Sequence, residues 1–180
     1  MTSLGDLVYG LCGGLCFAAI DYFNVKMPVP VYQNTDEIPW RYFLYFWQRQ
    51  LHSLKKGVIP KLFKWMLTDD VSLARSVNRW EVPKILNRLK EGQPVPMVLL
   101  RTKGLSDPMK NHQFLAIGYE FDPLTKDLLI HLYDPNHPGK QPKLTMNLRN
   151  PGQGIHLAQS TGEPLRGFFA IDYQKQTPSA

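Results

Sequence analysis

The feature that most constrains the fold of this chain is a change of pattern at Pro94. Before this residue, apolar side chains recur at helical spacing, and the middle region, about 36–92, is predicted to be helical throughout. After it, short apolar segments are separated by loops rich in Gly, Pro and Asn, a pattern that is typical of strands. Helices that come first and strands that follow, without alternation, favour an α+β fold with an antiparallel sheet.

The boundaries of the segments follow from the apolar spacing. We predict one domain, 1–180, with a helical part of about 1–92 and a sheet part of about 93–175. The tail, 174–180, is expected to be frayed. The predicted helices are a first one that begins near Cys12 or Gly13, then 40–54, 59–67 and 80–90, with a short helix after Asp69-Asp70. The predicted strands are 95–101, 112–120, 126–134, 143–148 and 167–173.

The composition is that of an ordinary globular protein. The 180 residues are enough for one domain with a sizeable core, and 43% apolar with 20% charged residues exclude a disordered chain and a collagen-like fibre. The 21 Lys and Arg residues exceed the 15 Asp and Glu residues, which gives a net charge of +6. Because the basic residues are scattered, and the densest group at 55–64 is typical of one solvated helix face, we predict no nucleic-acid partner.

The apolar segment 7–20 has some of the character of a signal-peptide core. No Lys or Arg precedes it, Asp6 flanks it and glycines interrupt it, so we predict neither a signal peptide nor a membrane span. The protein is then expected to be cytoplasmic or exported by a route without a signal peptide. The two cysteines, Cys12 and Cys16, are too few for a disulfide framework and lack a second pair of ligands at zinc-site spacing. We predict no cofactor and no metal.

The first helix carries both cysteines. A thiol at a helix N-terminus lies near the positive end of the helix dipole, which raises the fraction of thiolate. The two glycines after Cys12 leave room for a substrate backbone and leave N–H groups free to bind a developing oxyanion. A cysteine in an apolar helix more often serves only in packing, so a catalytic interpretation needs further residues.

Those further residues occur on the hairpin of the second and third predicted strands. A turn centred on Pro123 pairs Glu120 with Lys126, an opposite-charge pair that supports this register. The same register places His112 directly opposite Asp134. A carboxylate beside a histidine holds one ring nitrogen as a donor and leaves the other free to act as a base. Together with the helix-start cysteine, the pair forms a candidate nucleophile, base and orienting group, and a surface pair that merely closes the hairpin is the alternative.

The predicted helix 40–54 carries a stripe of large side chains at spacings of three and four residues. Tyr42, Phe43, Phe46 and Trp47 form its aromatic part. Such a stripe is typical of core packing, which we predict here. The alternative is that the same side chains line a ligand cleft.

Several segments of the chain resemble the papain-like cysteine peptidases, in particular the bacteriocin-processing, double-glycine-leader branch. Residues 12–18, Cys-Gly-Gly-Leu-Cys-Phe-Ala, resemble the start of the helix that carries the nucleophile. Residues 111–119 resemble the strand that carries the family's His, and 132–136, Leu-Tyr-Asp-Pro-Asn, resemble the strand end that carries its Asp. The element 81–98 resembles the segment before the His strand. The resemblance covers about half the chain, and the helical segment 36–80 has no counterpart in it.

Two features depart from that family. Its members carry a Gln six residues before the nucleophile, where this sequence has Asp6 before Cys12 and Gly10 before Cys16. An ionised carboxylate cannot donate a hydrogen bond, so the oxyanion would depend on backbone N–H groups or on another side chain. The run Cys-Phe-Ala that starts at Cys16 also matches the Cys-aromatic-Ala pattern of papain, which makes Cys16 an alternative nucleophile. We prefer Cys12 because it opens the helix, whereas Cys16 is expected to be packed.

The resemblance implies a cysteine-dependent hydrolase, a peptidase or amidase, that acts on a peptide or protein substrate. Cys12 would be the nucleophile, His112 the base and Asp134 the orienting group, with Asn136 as the alternative orienting residue because papain itself uses Asn. Two other functions are open: acyl transfer or glutamine deamidation by an effector of this fold, and binding by a catalytically inactive module. The other histidines are expected to be dispensable, namely His52, His131, His137 and His156.

Overall fold

The computed structural model describes residues 10–30, 32, 35–55, 57–105, 107–150 and 157–178. Asp6, six residues before Cys12, and His156 lie outside the described residues. The described residues contain five α-helices: α1 (Cys12–Asn24), α2 (Trp40–Ser53), α3 (Val58–Leu67), α4 (Asp70–Ser76) and α5 (Val82–Lys90). Shorter helical turns occur at Thr35–Glu37, Val77–Glu81 and Pro108–Lys110.

The described strands form one antiparallel sheet. They are β1 (Val95–Leu100), β2 (His112–Phe121), β3 (Asp127–Tyr133), β4 (Lys143–Asn147), β5 (Ala158–Gln159) and β6 (Gly167–Ala170). Their order in space is β5-β4-β3-β2-β1-β6, and each neighbouring pair is antiparallel. Helices followed by an antiparallel sheet confirm the predicted α+β class. The sequence did not predict β5, since two residues are too short for an alternating pattern.

The helix boundaries agree with the predictions where one glycine or one capping residue determines the end of a helix. Gly57 separates α2 from α3 with a φ of +82°, a conformation that favours glycine. Asp69 caps α4, because its carboxylate accepts a backbone N–H of the first turn at 2.9 Å. The predicted helix 80–90 is α5 preceded by a π turn. Pro83 lacks an N–H to donate, so the regular ladder of helical hydrogen bonds is interrupted at that point.

β1 runs through the middle of the hydrophobic core, and all six of its residues are buried. Met66 of α3, Leu73 of α4 and Ile85 of α5 are fully buried in the same cluster. β2 pairs with β1 from its first residue, His112, which lies opposite Leu99. The start of β2 is therefore held against the most buried strand of the sheet.

α1 lies directly against α2 because a glycine permits close approach of the two backbones. A Cβ at Gly14 would overlap the carbonyl oxygen of Phe46. Two fully buried side chains, Asp21 of α1 and Arg49 of α2, form an ion pair with 2.7 Å between Nε and Oδ2. The position of the cysteine helix is thus fixed by both packing and charge.

The same ion pair anchors the C-terminal tail. The Arg49 guanidinium donates to the carbonyl oxygen of Gln174 at 2.8 Å, and the Asp21 carboxylate accepts the backbone N–H of Gln176 at 3.0 Å. The expectation that 174–180 is frayed is therefore wrong for its described part, 174–178. A buried ion pair needs further hydrogen bonds to satisfy its remaining donors and acceptors, and the tail provides them.

The hairpin of β2 and β3 forms, but its predicted register is wrong. Glu120 lies opposite Leu129 rather than opposite Lys126. Asp122 accounts for the longer loop, because its carboxylate accepts the backbone N–H of Leu124 at 2.7 Å. Lys126 then adopts a left-handed φ of +65° before β3 begins. A charge pair is a weak guide to register when an aspartate can reorganise the turn.

A bulge in this hairpin decides where Asp134 lies. The ladder between β2 and β3 shifts between Ala116 and Gly118. Tyr133, the last residue of β3, lies opposite Leu115, so the next residue, Asp134, lies beside Phe114. Phe114 is two residues from His112 and therefore on the same face of β2. The sequence predicted that Asp134 lies directly opposite His112. In the structure, Asp134 is instead a diagonal neighbour of His112. Diagonal neighbours are still within reach of a side-chain contact.

Candidate active site

Cys12 lies at the N-terminal end of α1. It is the first residue of the helix, as predicted, and the residue before it, Leu11, provides no side-chain cap. The N–H groups of the first turn must therefore find partners elsewhere. Cys12 is 9% exposed and lies at the wall of a cleft that His112 also lines.

His112 contacts Asp134 and lines the same cleft as Cys12. Its Nε2 lies 2.9 Å from Oδ1 of Asp134, and its ring packs edge-on against Phe114 with 4.3 Å between the ring centroids. Because Nε2 faces the carboxylate, Nδ1 is the ring nitrogen left for Cys12, which lines the same cleft. The predicted contact between His112 and Asp134 is therefore present, although the register that predicted it is wrong.

Asp134 is 2% exposed and has two further partners. Its Oδ1 also accepts the backbone N–H of Asn136 at 2.9 Å, and its Oδ2 lies 2.5 Å from Nδ1 of His137. Asn136, the alternative orienting residue, thus contacts the carboxylate through its backbone, and the residue is exposed. The sequence assigned no role to His137. This contact could have been predicted from the spacing, because His137 follows Asp134 by three residues across a turn that begins at Pro135.

The charges of the site follow from these contacts. Burial lowers the pKa of His112, but the hydrogen bonds and charges of Asp134 and Cys12 outweigh it and raise that pKa from 6.5 to about 9. Burial raises the pKa of Asp134, and the hydrogen bonds from His112, the Asn136 N–H and His137 outweigh it and hold that pKa below its ordinary value. His112 is therefore protonated and Asp134 ionised at neutral pH.

The raised pKa of His112 predicts an alkaline limit to activity. A histidine whose folded pKa is about 9, above the ordinary 6.5, stays protonated through neutral pH and loses its proton as the pH rises through 9. If the imidazolium protonates the leaving group, kcat/KM should fall above about pH 9 as His112 loses its proton. A pH–rate profile measures this limb. A rate that stays level to about pH 10 would contradict the assignment.

Cys16 lies in a different environment. It is fully buried, and its Sγ lies 3.5 Å from the carbonyl oxygen of Gln113. Burial, followed by the negative charges of Cys12 and Asp134, raises the pKa of the Cys16 thiol well above its ordinary value. It packs against Ile20 and does not line the cleft. The expectation that Cys16 is packed is confirmed.

The cleft beside Cys12 has a volume of about 530 Å³. Most of its wall is apolar, with Trp47 and Leu51 contributed by α2 and Ile59 and Phe63 by α3. The aromatic stripe of α2 is thus divided between two roles: Phe46 is buried in the core, while Trp47 is 42% exposed at the cleft. The prediction of core packing is correct for Phe46 and wrong for Trp47.

The described residues contain no helix that is long and apolar enough to cross a membrane. In the same part of the chain, His, Cys, Asp and Glu residues do not assemble into any group of three or more that could hold a metal ion. Comparison with protein-family models, with curated proteins and with solved structures gives no match for this chain. A functional assignment therefore depends on the geometry of the cleft.

Proposed function

We propose that the protein is a cysteine-dependent hydrolase of papain-like fold that cleaves a peptide or amide bond. The observation that carries this proposal is the arrangement around one imidazole: Asp134 on Nε2 at 2.9 Å, and Cys12, at a helix N-terminus and beside an open cleft, as the partner left to Nδ1. A nucleophile, a base and an orienting carboxylate in this order are the three parts of the triad mechanism.

The first half of the proposed reaction transfers the acyl group to Cys12. The thiolate attacks the carbonyl carbon, a C–S bond forms, and the π electrons of the carbonyl move to its oxygen. The tetrahedral intermediate then collapses, the C–N bond breaks, and the leaving amine takes the proton from Nδ1 of His112. The products of this half are a thioester on Cys12, a free amine and a neutral imidazole.

The second half releases the acyl group. Neutral His112 removes a proton from water, and the hydroxide attacks the thioester carbonyl. The C–S bond breaks, the acid product leaves, and Cys12 returns to thiolate beside an imidazolium. Asp134 keeps the ring in one orientation and stabilises its positive charge throughout, without taking the proton itself.

The cleft supports an apolar substrate. Trp47, Leu51, Ile59 and Phe63 form a largely apolar wall beside the nucleophile, and each is at least 36% exposed. The free energy of the complex falls when an apolar group of the substrate covers exposed side chains of this kind. We infer that a bulky apolar side chain adjoins the bond that is cleaved, which favours peptide cleavage over deamidation of a glutamine.

Labelling by a thiol-reactive peptide probe tests this function. A leucine-containing peptide acyloxymethyl ketone should modify Cys12 rapidly, and an excess of an unreactive apolar peptide should slow that labelling by competition. The modified residue is identified by mass spectrometry of the digested protein. Labelling no faster than that of free cysteine in solution would instead favour a catalytically inactive binding module.

A further inference from the structure

Gln50 of α2 is a buried amide at the same cleft as Cys12. It is 7% exposed, and its Oε1 accepts the backbone N–H of Gly14 at 2.7 Å. Gly14 lies in the first turn of α1, two residues after Cys12. Since a backbone N–H can only donate, the atom that faces Gly14 must be the oxygen of the amide. The other terminal atom of Gln50 is therefore its NH₂ group.

The NH₂ group of Gln50 has no acceptor among the residues that the structure describes. Its side chain makes one hydrogen bond among the described residues, the one to Gly14. Gln50 lines the cleft together with Cys12 and His112. A donor held in place by a second, fixed hydrogen bond needs no reorganisation when charge develops in front of it.

The neighbouring amide cannot take this role. Gln113 also lines the cleft, but its Nε2 donates to the hydroxyl of Ser53 at 3.3 Å. Ser53 in turn donates to the carbonyl oxygen of Gln50 at 2.8 Å, so its oxygen is the acceptor for Gln113. The atom that Gln113 leaves without a partner in the described part of the chain is its Oε1, an acceptor, which would repel an oxyanion.

The backbone offers fewer donors than a helix N-terminus usually does. The N–H of Gly14 is already bound to Gln50, whereas that of Leu15 makes the first regular helical hydrogen bond, to the carbonyl oxygen of Leu11. Cys12 and Gly13 are the other first-turn residues whose N–H groups have no acceptor within the helix itself. A side-chain donor would add a third hydrogen bond to those of the two N–H groups. It would replace the glutamine that this sequence lacks six residues before Cys12.

We infer that Gln50 is a catalytic residue whose Nε2–H donates to the oxyanion formed when Cys12 attacks the substrate carbonyl. This inference rests on the proposed function. When the C–S bond forms, the π electrons of the carbonyl move to its oxygen, and the Gln50 amide stabilises that negative charge by a hydrogen bond until the C–N bond breaks. Gln50 belongs to the helical segment 36–80, which has no counterpart in papain-like peptidases. This segment would thus supply the side-chain donor that is missing before Cys12.

Two variants separate this role from a purely structural one. Gln50→Glu keeps an oxygen for the N–H of Gly14 but removes the NH₂ donor, whereas Gln50→Met removes both. Gln48→Glu is the matched control, because Gln48 lies on the same helix, is exposed, and uses its oxygen to accept from Gln176. The three variants and the wild type are compared at about pH 8, where a glutamate is ionised in water.

Three measurements are made on each protein. The first is kcat/KM for hydrolysis of N-benzyloxycarbonyl-leucine p-nitrophenyl ester. The second is the inhibition constant of a leucine-containing peptide aldehyde, which forms a hemithioacetal whose oxygen occupies the oxyanion position. The third is the rate at which iodoacetamide alkylates Cys12, a displacement reaction that forms no oxyanion and so reports only on the thiolate.

Both Gln50 variants should lose about 10²- to 10³-fold in kcat/KM, the loss that follows removal of one oxyanion donor, and should bind the aldehyde more weakly. Their alkylation should stay within about threefold of the wild-type rate, and Gln48→Glu should match the wild type in all three measurements. Full activity in Gln50→Glu with a loss in Gln50→Met would overturn the inference and leave Gln50 only its bond to Gly14. A parallel loss of alkylation would also overturn it, because Gln50 would then act through Cys12.

The outcome for the wild type distinguishes this inference from the proposed function. An active wild type with active Gln50 variants removes the role of Gln50 alone. A wild type that neither hydrolyses the ester nor reacts with iodoacetamide faster than free cysteine removes the hydrolase and the inference with it.

Discussion

Replacing Cys12 by serine is expected to reduce turnover by about 10⁴- to 10⁶-fold, the loss seen when a triad nucleophile is removed. The exchange replaces one sulfur by oxygen at a site that already has 9% exposure, so the fold should be retained. A serine hydroxyl beside His112 is not ionised at neutral pH and is a far weaker nucleophile than a thiolate. The measurement is kcat/KM on the leucine p-nitrophenyl ester, with circular dichroism to confirm that Cys12→Ser is folded.

Cys16→Ala is the matched control for this variant. Cys16 is fully buried and does not line the cleft, so its removal should leave turnover unchanged. The small cavity left by the sulfur should lower the free energy of unfolding by about 1–2 kcal/mol. Activity in Cys12→Ser together with inactivity in Cys16→Ala would transfer the role of nucleophile to Cys16 and agree with the papain pattern of Cys-aromatic-Ala.

Replacing His112 by alanine is expected to abolish turnover to a similar extent. Without the imidazole, no group is positioned to form the ion pair with Cys12 or to protonate the leaving amine. His112 is 6% exposed and packs on Phe114, so the variant also leaves a cavity and an unpaired Asp134 carboxylate. Melting temperature must therefore be measured beside kcat/KM, and His112→Gln, which fills more of the cavity, should be inactive as well.

His131→Ala provides the control for loss of a histidine on the same hairpin. Nε2 of His131 lies 2.9 Å from the Glu120 carboxylate, an exposed pair on β3 and β2, and the residue does not line the cleft. Exposed pairs of this kind contribute about 0–1 kcal/mol, so the variant should be folded and fully active. An inactive His131→Ala beside an active His112→Ala would show that the wrong histidine has been assigned.

The sequence predicted the elements of the fold where local chemistry decides them. The start of α1 near Cys12, the short helix after Asp69-Asp70 and the antiparallel sheet after Pro94 were all predicted from residue types and from the loss of helical periodicity. The contact of His112 with Asp134 was predicted through an incorrect register. It survives because Asp134 falls diagonally from His112 and on the same face, and side chains reach across that distance.

Tertiary contacts account for what the sequence did not predict. The docking of the tail depends on the buried pair of Asp21 and Arg49, two residues that lie far apart in the chain. The role proposed for Gln50 depends on the close approach of α1 and α2 at Gly14, which places an amide of one helix at the N-terminus of the other. No periodicity or motif in a single sequence reports on contacts of this kind.

The rate at which iodoacetamide alkylates each cysteine at near-neutral pH tests whether His112 activates Cys12 as a thiolate. Mass spectrometry of the digested protein assigns each adduct to Cys12 or Cys16. We expect Cys12 to be modified first and faster than free cysteine, and His112→Ala to slow that reaction, because the imidazolium stabilises the thiolate. An adduct that forms first on Cys16, or two thiols that react no faster than free cysteine, would contradict the assignment of Cys12 as the activated nucleophile.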